Sequence, residues 1–457
     1  MHSSFVIRHF VKFIYKPIYW SYRHSSGLWH RAARRFTPAG LCAAGGWLVA
    51  GAVGADIENT VTYQSFALLF AFLFFAVACS FFFRAKFSAT RLLPRFGTAG
   101  QPLQYQVQLK NLTNKNQAGL TLLEDLADPR PPFDEWLEFQ LAENRRVRPF
   151  RVSQRRTQNP FRLATVKPAE VPPLPPHGEG VVALELLPLR RGILRFTGVT
   201  VARPDVLGLF RAFRRLSAPQ TVLILPKRHP LPPIALPGAM KYQEGGVALA
   251  ASVGSSEEFV ALRDYRQGDP LRHIHWRSWA RIGKPIVKEF EDEFFVRHAL
   301  VLDTFTDEPH NELLEEAVSV AASFACTVLT QESLLDLLFV GNKSYCFTFG
   351  RSLGQADQML EILASVRNCA DRTFDALEHL VLNHVSVVSG CICVLQRWDE
   401  PRKNFVKKMR VLSVPVMVLV IVRPGEAKPD AGPLRDEPQN FHVLEIGKIS
   451  EALAKLK

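Results

Sequence analysis

From Val61 to Phe83 the chain runs without a charged side chain, and Phe recurs throughout. Few structures accept such a run. As a helix it covers the roughly 30 Å hydrocarbon core of a bilayer while satisfying its own backbone polar groups. The competing reading is a buried helix pair in a soluble domain, where uncharged runs this long and Phe-rich are rare. A shorter apolar, Gly-rich stretch, Ala39–Ala55, comes just before, and only Asp56 and Glu58 interrupt the two. Counted from Thr37, it crosses a locally thinned bilayer. Residues 39–83 therefore read as a two-helix transmembrane hairpin.

Charge orients that hairpin. Residues 1–38 carry Arg8, Lys12, Lys16, Arg23, Arg31, Arg34 and Arg35 among Phe10, Phe13, Tyr15, Tyr19, Trp20 and Trp29. Basic residues return afterwards at Arg84, Lys86, Arg91 and Arg95. The positive-inside rule then places both termini in the cytoplasm, with two passes through the inner membrane. Residues 1–38 read in two ways, as a helix lying on anionic lipid or as a disordered basic tail. As a signal peptide their basic region is too long. The net charge of +13 fits membrane lipid better than nucleic acid. Acidic stretches at Glu289–Glu293 and Asp307–Glu316 break any continuous basic stripe.

A length of 457 residues, 47% of them hydrophobic, implies two or three domains with ample core. The seven cysteines form no C-x-x-C pair, which fits a reducing compartment. Cys391 and Cys393 fall in a strand-like stretch and should face the same side of a sheet.

Residues 84–230 alternate in short runs: Leu103–Leu109, Leu120–Leu123, Val181–Leu187, Leu194–Val201 and Thr221–Leu225. Pro, Gly and Asn bound them, the pattern of an antiparallel β-sandwich, with Pro-rich Lys167–Pro176 as a loop. From residue 297 to 457 the pattern turns α/β. Strands are expected at His298–Asp303, Leu334–Val340, Ser344–Phe349, Val387–Leu395 and Val416–Val422. Helices are expected at Asn311–Leu329, Gln355–Val366 and Pro401–Val411. That alternation implies a parallel sheet with helices on both faces and ligands beyond the strands' carboxyl ends.

The intervening segment, 231–296, holds the densest motif: RDYRQGDPLRHIHWRSWARIGKPIVKEFE, Arg263 onward. Asp269-Pro270 reads as a helix start and Gly283 with Pro285 as its stop. Arg272, Trp276 and Ala280 would share one face. An Arg so near a helix N-terminus calls for an acidic partner elsewhere. His273 and His275 are the best general-base candidates, but at i, i+2 they diverge, so one packed and one exposed His is the simpler reading. Trp276 and Trp279 read as core or interface anchors.

This motif resembles the signature of the bacterial domain of unknown function 58 family. The matching positions are Arg263, Tyr265, Gly268, Asp269, Arg272, Ile274, Trp276, Ala280 and Arg281, then Val287, Lys288, Glu289 and Phe290. Arg191-Gly192-Ile193-Leu194-Arg195-Phe196 and the turn Asp205–Phe210 resemble a second landmark, with Val206 where the family usually has Pro. The resemblance implies a von Willebrand factor A-like fold for residues 297–457. Such domains often carry a Mg²⁺ site, in the form Asp-x-Ser-x-Ser plus a Thr and a later Asp. Asp303, Asp307, Thr373 and Asp399 are the candidates, but Phe305 and Asp307 stand where the two hydroxyls belong and Phe is unable to ligate. No cofactor is therefore expected, with a Mg²⁺ site of Asp303, Asp307 and Asp399 as the alternative to plain strand-end and helix-entry acids.

No P-loop, H-E-x-x-H or G-x-S-x-G motif occurs. The expectation is a non-enzymatic, membrane-anchored adaptor whose two folded lobes are locked by the Trp276 helix. By resemblance its partner would be a MoxR-type AAA+ ATPase, with other membrane proteins nearby, in complex assembly, maturation or stress response. The rival is a hydrolase whose site lies between sandwich and α/β domain. There Arg263, Asp269, Arg272, His275, Arg281, Lys288 and Glu289 would line an open cleft rather than pair off.

Overall fold

A computed structural model describes residues 2–53, 60–146, 161–232, 259–267, 269, 271, 274–290, 297–306, 308, 311–329, 334–350 and 353–456. The chain divides into two compact units, Met1–Lys227 and Arg228–Lys457.

The first unit opens with three helices, α1 (His2–Arg35), α2 (Pro38–Val53) and α3 (Thr60–Ser80). Residues 2–35 are thus helical, not a disordered tail. Within α3, Val61–Ser80 is long and apolar enough to cross a membrane, and only 6% of that stretch is buried in the protein. The shorter α2 packs on α3, with Trp47 stacked on Phe66 at 5.5 Å.

Strands β1 (Phe87–Leu92), β2 (Phe96–Thr98), β3 (Leu103–Asn111) and β4 (Leu120–Leu126) follow. Next come α4 (Phe133–Arg146), β5 (Ala164–Val166), β6 (Ala169–Val171), β7 (Glu179–Pro188), β8 (Gly192–Pro204) and β9 (Arg211–Leu225). They build two sheets, β1-β3-β7-β5 and β2-β9-β8-β4-β6. Side chains at every second position form one shared core, including Tyr105, Val107 and Leu109 from one sheet and Phe196, Val199 and Val201 from the other. The sandwich departs from expectation in three places. β2 pairs with β9 in parallel, β6 lies inside the stretch read as a loop, and α4 had no counterpart in the strand pattern. α4 docks on α1, where Tyr19 meets Trp136 at 5.3 Å and donates its hydroxyl to the Pro131 carbonyl at 2.8 Å.

One basic residue assigned to the membrane flank lies elsewhere. Arg91 is buried between the two sheets, paired with Glu124 at 2.8 Å and lying over the Phe196 ring at 4.5 Å. It also donates to the Gly198 and Ala218 carbonyls. Burial raises the Glu124 carboxyl above its ordinary range, an effect Arg91 only partly offsets.

In the second unit β10 (Phe259–Asp264) and β11 (Ile286–Phe290) form a two-stranded ribbon, with α5 (Trp276–Ile282) between them in sequence. Then come β12 (Arg297–Leu302), α6 (Glu312–Leu329), β13 (Leu334–Val340), β14 (Ser344–Phe349), α7 (Leu353–Ser365) and α8 (Asp375–Leu382). β15 (Gly390–Leu395), α9 (Glu400–Val411), β16 (Val416–Val422), β17 (Phe441–Glu445) and α10 (Ile449–Leu453) complete the unit. The six-stranded sheet runs β14-β13-β12-β15-β16-β17, a doubly wound order. It is not wholly parallel, because β14 returns antiparallel to β13 through the tight turn after Val340. Every residue of β12, β13, β15 and β16 is buried, as strands covered on both faces must be. α8 and α9 share a core with Ala299, Val301, Cys391 and Cys393. The Cys391 and Cys393 sulfurs lie 3.4 Å apart on that one side, as free thiols. Burial keeps the Arg297–Asp336 pair, bidentate at 2.7 and 3.0 Å, out of water beneath the sheet's other end.

Candidate functional site

Two places in the second unit concentrate polar chemistry. The first is the crevice beyond the carboxyl ends of β12 and β15. These neighbours connect in opposite directions, so the loops leaving them diverge and open the position where doubly wound sheets bind ligands.

Asp303 stands there, directly after β12, and its side chain is fully buried. Its carboxylate is completely engaged. Oδ1 accepts from the Phe305 N–H at 3.1 Å, while Oδ2 accepts from the Gln396 N–H at 3.1 Å and from Arg402 Nε at 2.8 Å. Arg402 comes from the first turn of α9 and reaches Asp399 through Nη1 at 2.7 Å. Burial works against the Arg402 charge, but Asp303 and then Asp399 outweigh it and hold the guanidinium above its already high ordinary range. Asp399 also caps α9, accepting from the Arg402 N–H. Beneath lies a neutral layer. Asn311 donates to Thr306 Oγ1 at 3.0 Å and to Gln396 Oε1 at 3.2 Å, and Gln396 in turn donates to the Asp303 carbonyl at 2.6 Å.

This arrangement does not suit Mg²⁺. A hard divalent ion needs about six oxygen ligands around an open centre, and here a guanidinium joins the two carboxylates. Thr373 donates to Asp375 at 3.0 Å instead of facing Asp303. Asp307 lies outside the described residues. Among the described residues no group of three His, Cys, Asp or Glu side chains converges as a metal site. Sequence reading found Asp303 and Asp399 but missed Arg402, whose only signal was its place three residues after a capping Asp.

The second place is the β10–α5–β11 motif. Arg263 on β10 forms a bidentate pair with Asp269 at 2.7 and 2.8 Å. Asp269 accepts the Arg266 N–H too, at 2.8 Å. Arg263, then that backbone donor, hold its carboxyl down at about 2. Asp269 therefore braces a turn and does not start the long helix expected from Asp269-Pro270. α5 begins only at Trp276, because Ile274 is first taken by a bridge to Val287 and the His275 N–H by the Ile286 carbonyl. His275 is half-buried, with Nδ1 2.6 Å from Ser278 Oγ. The expected stop does hold. Gly283 adopts a left-handed φ of 76° and its N–H closes the helix on Trp279. Tyr265 joins the ribbon through its N–H to the Pro285 carbonyl.

Trp276 does not enter the core: it is 63% exposed and stacks on Trp279, with centroids 5.2 Å apart and planes 18° apart. Leu271 and Ile282 are exposed beside them in the sequence, as are Arg277, Arg281 and Lys284. Lys288 is half-buried on β11. Gly268, Arg272 and His273 lie outside the described residues, as does the Glu289 side chain. Arg263 and Asp269 thus pair with each other within their own turn.

Residues 261–453 match the family model described as "Protein of unknown function DUF58". The matched stretch takes in most of the motif, the doubly wound sheet and the Asp303–Arg402 cluster. The "Uncharacterized protein YeaD" of Bacillus subtilis (strain 168) is 27% identical over 185 residues. That alignment covers 40% of this chain and 45% of the relative, so the chain spans less than half the relative's length. Among solved structures, a PapD-like domain of human CEP192 matches at 11% identity with a TM-score of 0.17, covering 31% of this chain and 85% of that one. A cohesin module from a Clostridium perfringens glycoside hydrolase matches at 12% identity with a TM-score of 0.14, covering 31% and 97%. Superpositions this slight carry no weight for fold or function.

Proposed function

We propose that this chain is a membrane-anchored, cytoplasm-facing adaptor that presents binding surfaces and catalyses no reaction of its own. α2 and α3 would form the two-pass anchor, with both termini in the cytoplasm. The doubly wound order supports a von Willebrand factor A-like reading of residues 297–457. Resemblance to the family supplies the partner, a MoxR-type AAA+ ATPase acting in assembly, maturation or stress response.

The observation that carries this reading is the closure of the switch-point crevice. Where a ligand or catalytic ion would sit, Arg402 ties up the buried Asp303 and pairs with the partly exposed Asp399. Among the described residues of the matched stretch, Trp276 is exposed and stacks on half-buried Trp279, and exposed aromatics of this kind anchor protein interfaces. The test is pulldown of the full chain from detergent-solubilised membranes, with and without ATP. Recovery of an AAA+ ATPase by the wild type, and at least tenfold less by Trp276→Ala/Trp279→Ala, supports the adaptor. Recovery of no ATPase, together with hydrolase activity in the purified chain, overturns it.

A further inference from the structure

Among its described residues, the first unit exposes apolar side chains along α1 and at the β8–β9 turn, beside the joint between α1 and α2. In α1, at about 100° of rotation per residue, Tyr15, Tyr19 and Tyr22 face α4. Phe13, Trp20 and Leu28 lie on another side and are exposed, Phe13 to 78%. Ile14 continues that arc, with exposed Ile18 and Trp29 nearer the Tyr22 side; Lys12, Lys16 and Arg23 border it towards Tyr19, and exposed Arg31 and Arg35 fall within its C-terminal part. α1 leads directly into α2 at Thr37.

The β8–β9 turn is clamped to that joint. Thr37 Oγ1 donates to the Gly208 carbonyl at 2.5 Å, and the Thr37 N–H donates to the Leu209 carbonyl at 3.1 Å. Gly40, in the first turn of α2, lies so close that an added Cβ would stand 1.9 Å from the Leu209 oxygen. At the base of the same turn, Arg203 lies over the Phe83 ring at 5.6 Å, just beyond the end of α3. Asp205 braces the loop by accepting from the Leu207 and Phe210 N–H groups at 3.1 and 2.8 Å. A rigid turn held between two helix ends thus projects Val206, 89% exposed, with Leu207 beside it. Exposed Arg203 lies at its base, exposed Arg35 over the neighbouring Phe210 ring, and exposed Arg214 and Arg215 farther along β9, opposite Val201 and Thr200.

We infer that the α1 arc and the Val206-Leu207 tip together form a lipid-contact surface seated in the headgroup region of an anionic bilayer. The inference rests on the reading that α2 and α3 span the membrane. Once they do, the turn clamped between their ends has the bilayer as its neighbour. Apolar tips with Arg at the base, and a helix with an apolar arc bordered by Lys and Arg, suit the boundary between acyl chains and anionic headgroups. The Asp205–Phe210 turn then has a physical role: it fixes the sandwich against the anchor and sets its depth.

The test uses the full chain reconstituted in vesicles of phosphatidylcholine, with or without phosphatidylglycerol, carrying brominated acyl chains as quenchers. An environment-sensitive fluorescent amino acid replaces Trp20, Val206, Leu68 or Ile193, one at a time. Leu68 lies within α3; Ile193 is exposed at the far end of β8, roughly 35 Å from the turn at about 3.3 Å per residue. Quenching at 20 and 206 at least threefold above that at 193, and deeper with the anionic lipid, supports the inference. Strong quenching at 68 with 20 and 206 no different from 193 overturns it and leaves the anchor standing, the face then belonging to a protein partner. Quenching at 20 and 206 that is indifferent to lipid charge overturns the anionic preference. Absence of quenching at 68 overturns the spanning reading, and this inference with it.

Discussion

Asp303 shows what one buried charge requires. It is inaccessible to water and tolerable only because Arg402 and two backbone N–H groups share it. Removing one partner of a buried pair leaves the other uncompensated. Arg402→Met should therefore cost about 3–5 kcal/mol in denaturant unfolding of the detergent-solubilised chain. Asp303→Asn/Arg402→Met should recover at least half of that loss, since the amide oxygen still accepts while the charge is gone. His298 supplies a second test. It is buried on β12, Nδ1 has no hydrogen-bond partner among the described residues, and burial lowers its pKa from 6.5 to about 4. Between those values the unfolded chain binds the extra proton, so stability rises with pH. The contribution is complete above 6.5 and is lost as pH falls toward 4. Replacing His298 with Leu should flatten that part of the slope in urea unfolding measured between pH 7 and pH 4.5. The sequence displayed Asp303 and Asp399 as acids after strands, but their partner is set by three-dimensional closure across the switch point, which no local spacing records.

At the scale of elements, period decides what is legible. The strands β3, β7 and β8, and the helices α6 and α9, announce themselves by alternation or helical spacing, and the structure finds them within a few residues of expectation. α5 was misjudged at its start because Asp269-Pro270 has the chemistry of a helix start, while Arg263 recruits the Asp to brace a turn. Competition between a local cap and a bidentate ion pair goes to the ion pair. Arg91 was misplaced for a similar reason: a basic residue shortly after an apolar run looks like a membrane flank, yet β1 pairing carries it between the sheets. Gly40 is the element-scale prediction. With 1.9 Å available for a Cβ against the Leu209 oxygen, Gly40→Val should separate the β8–β9 turn from α2. Limited proteolysis at the exposed arginines near that turn should then accelerate at least fivefold, and Gly46→Val, on the same helix with no main-chain neighbour so close, should leave the rate unchanged.

At the scale of the whole molecule, the apolar helices α2 and α3 adjoin a sandwich fixed to α2 through Thr37, and a separate unit holds the doubly wound sheet within the stretch that matches the DUF58 family model. Composition foretold the classes of these parts, since an uncharged run, two-residue alternation and α/β alternation are each distinct in sequence. It did not foretell the Asp303–Arg402 cluster, whose residues come together from separate elements, or that Trp276 stays exposed and stacks on Trp279 within α5. Every functional proposal here requires the first part, attachment to the bilayer. The most direct measurement is alkaline carbonate extraction of membranes from cells producing the full chain, followed by sedimentation. Retention of the chain in the membrane pellet, with release only by detergent, is the predicted result; release into the supernatant would contradict the account.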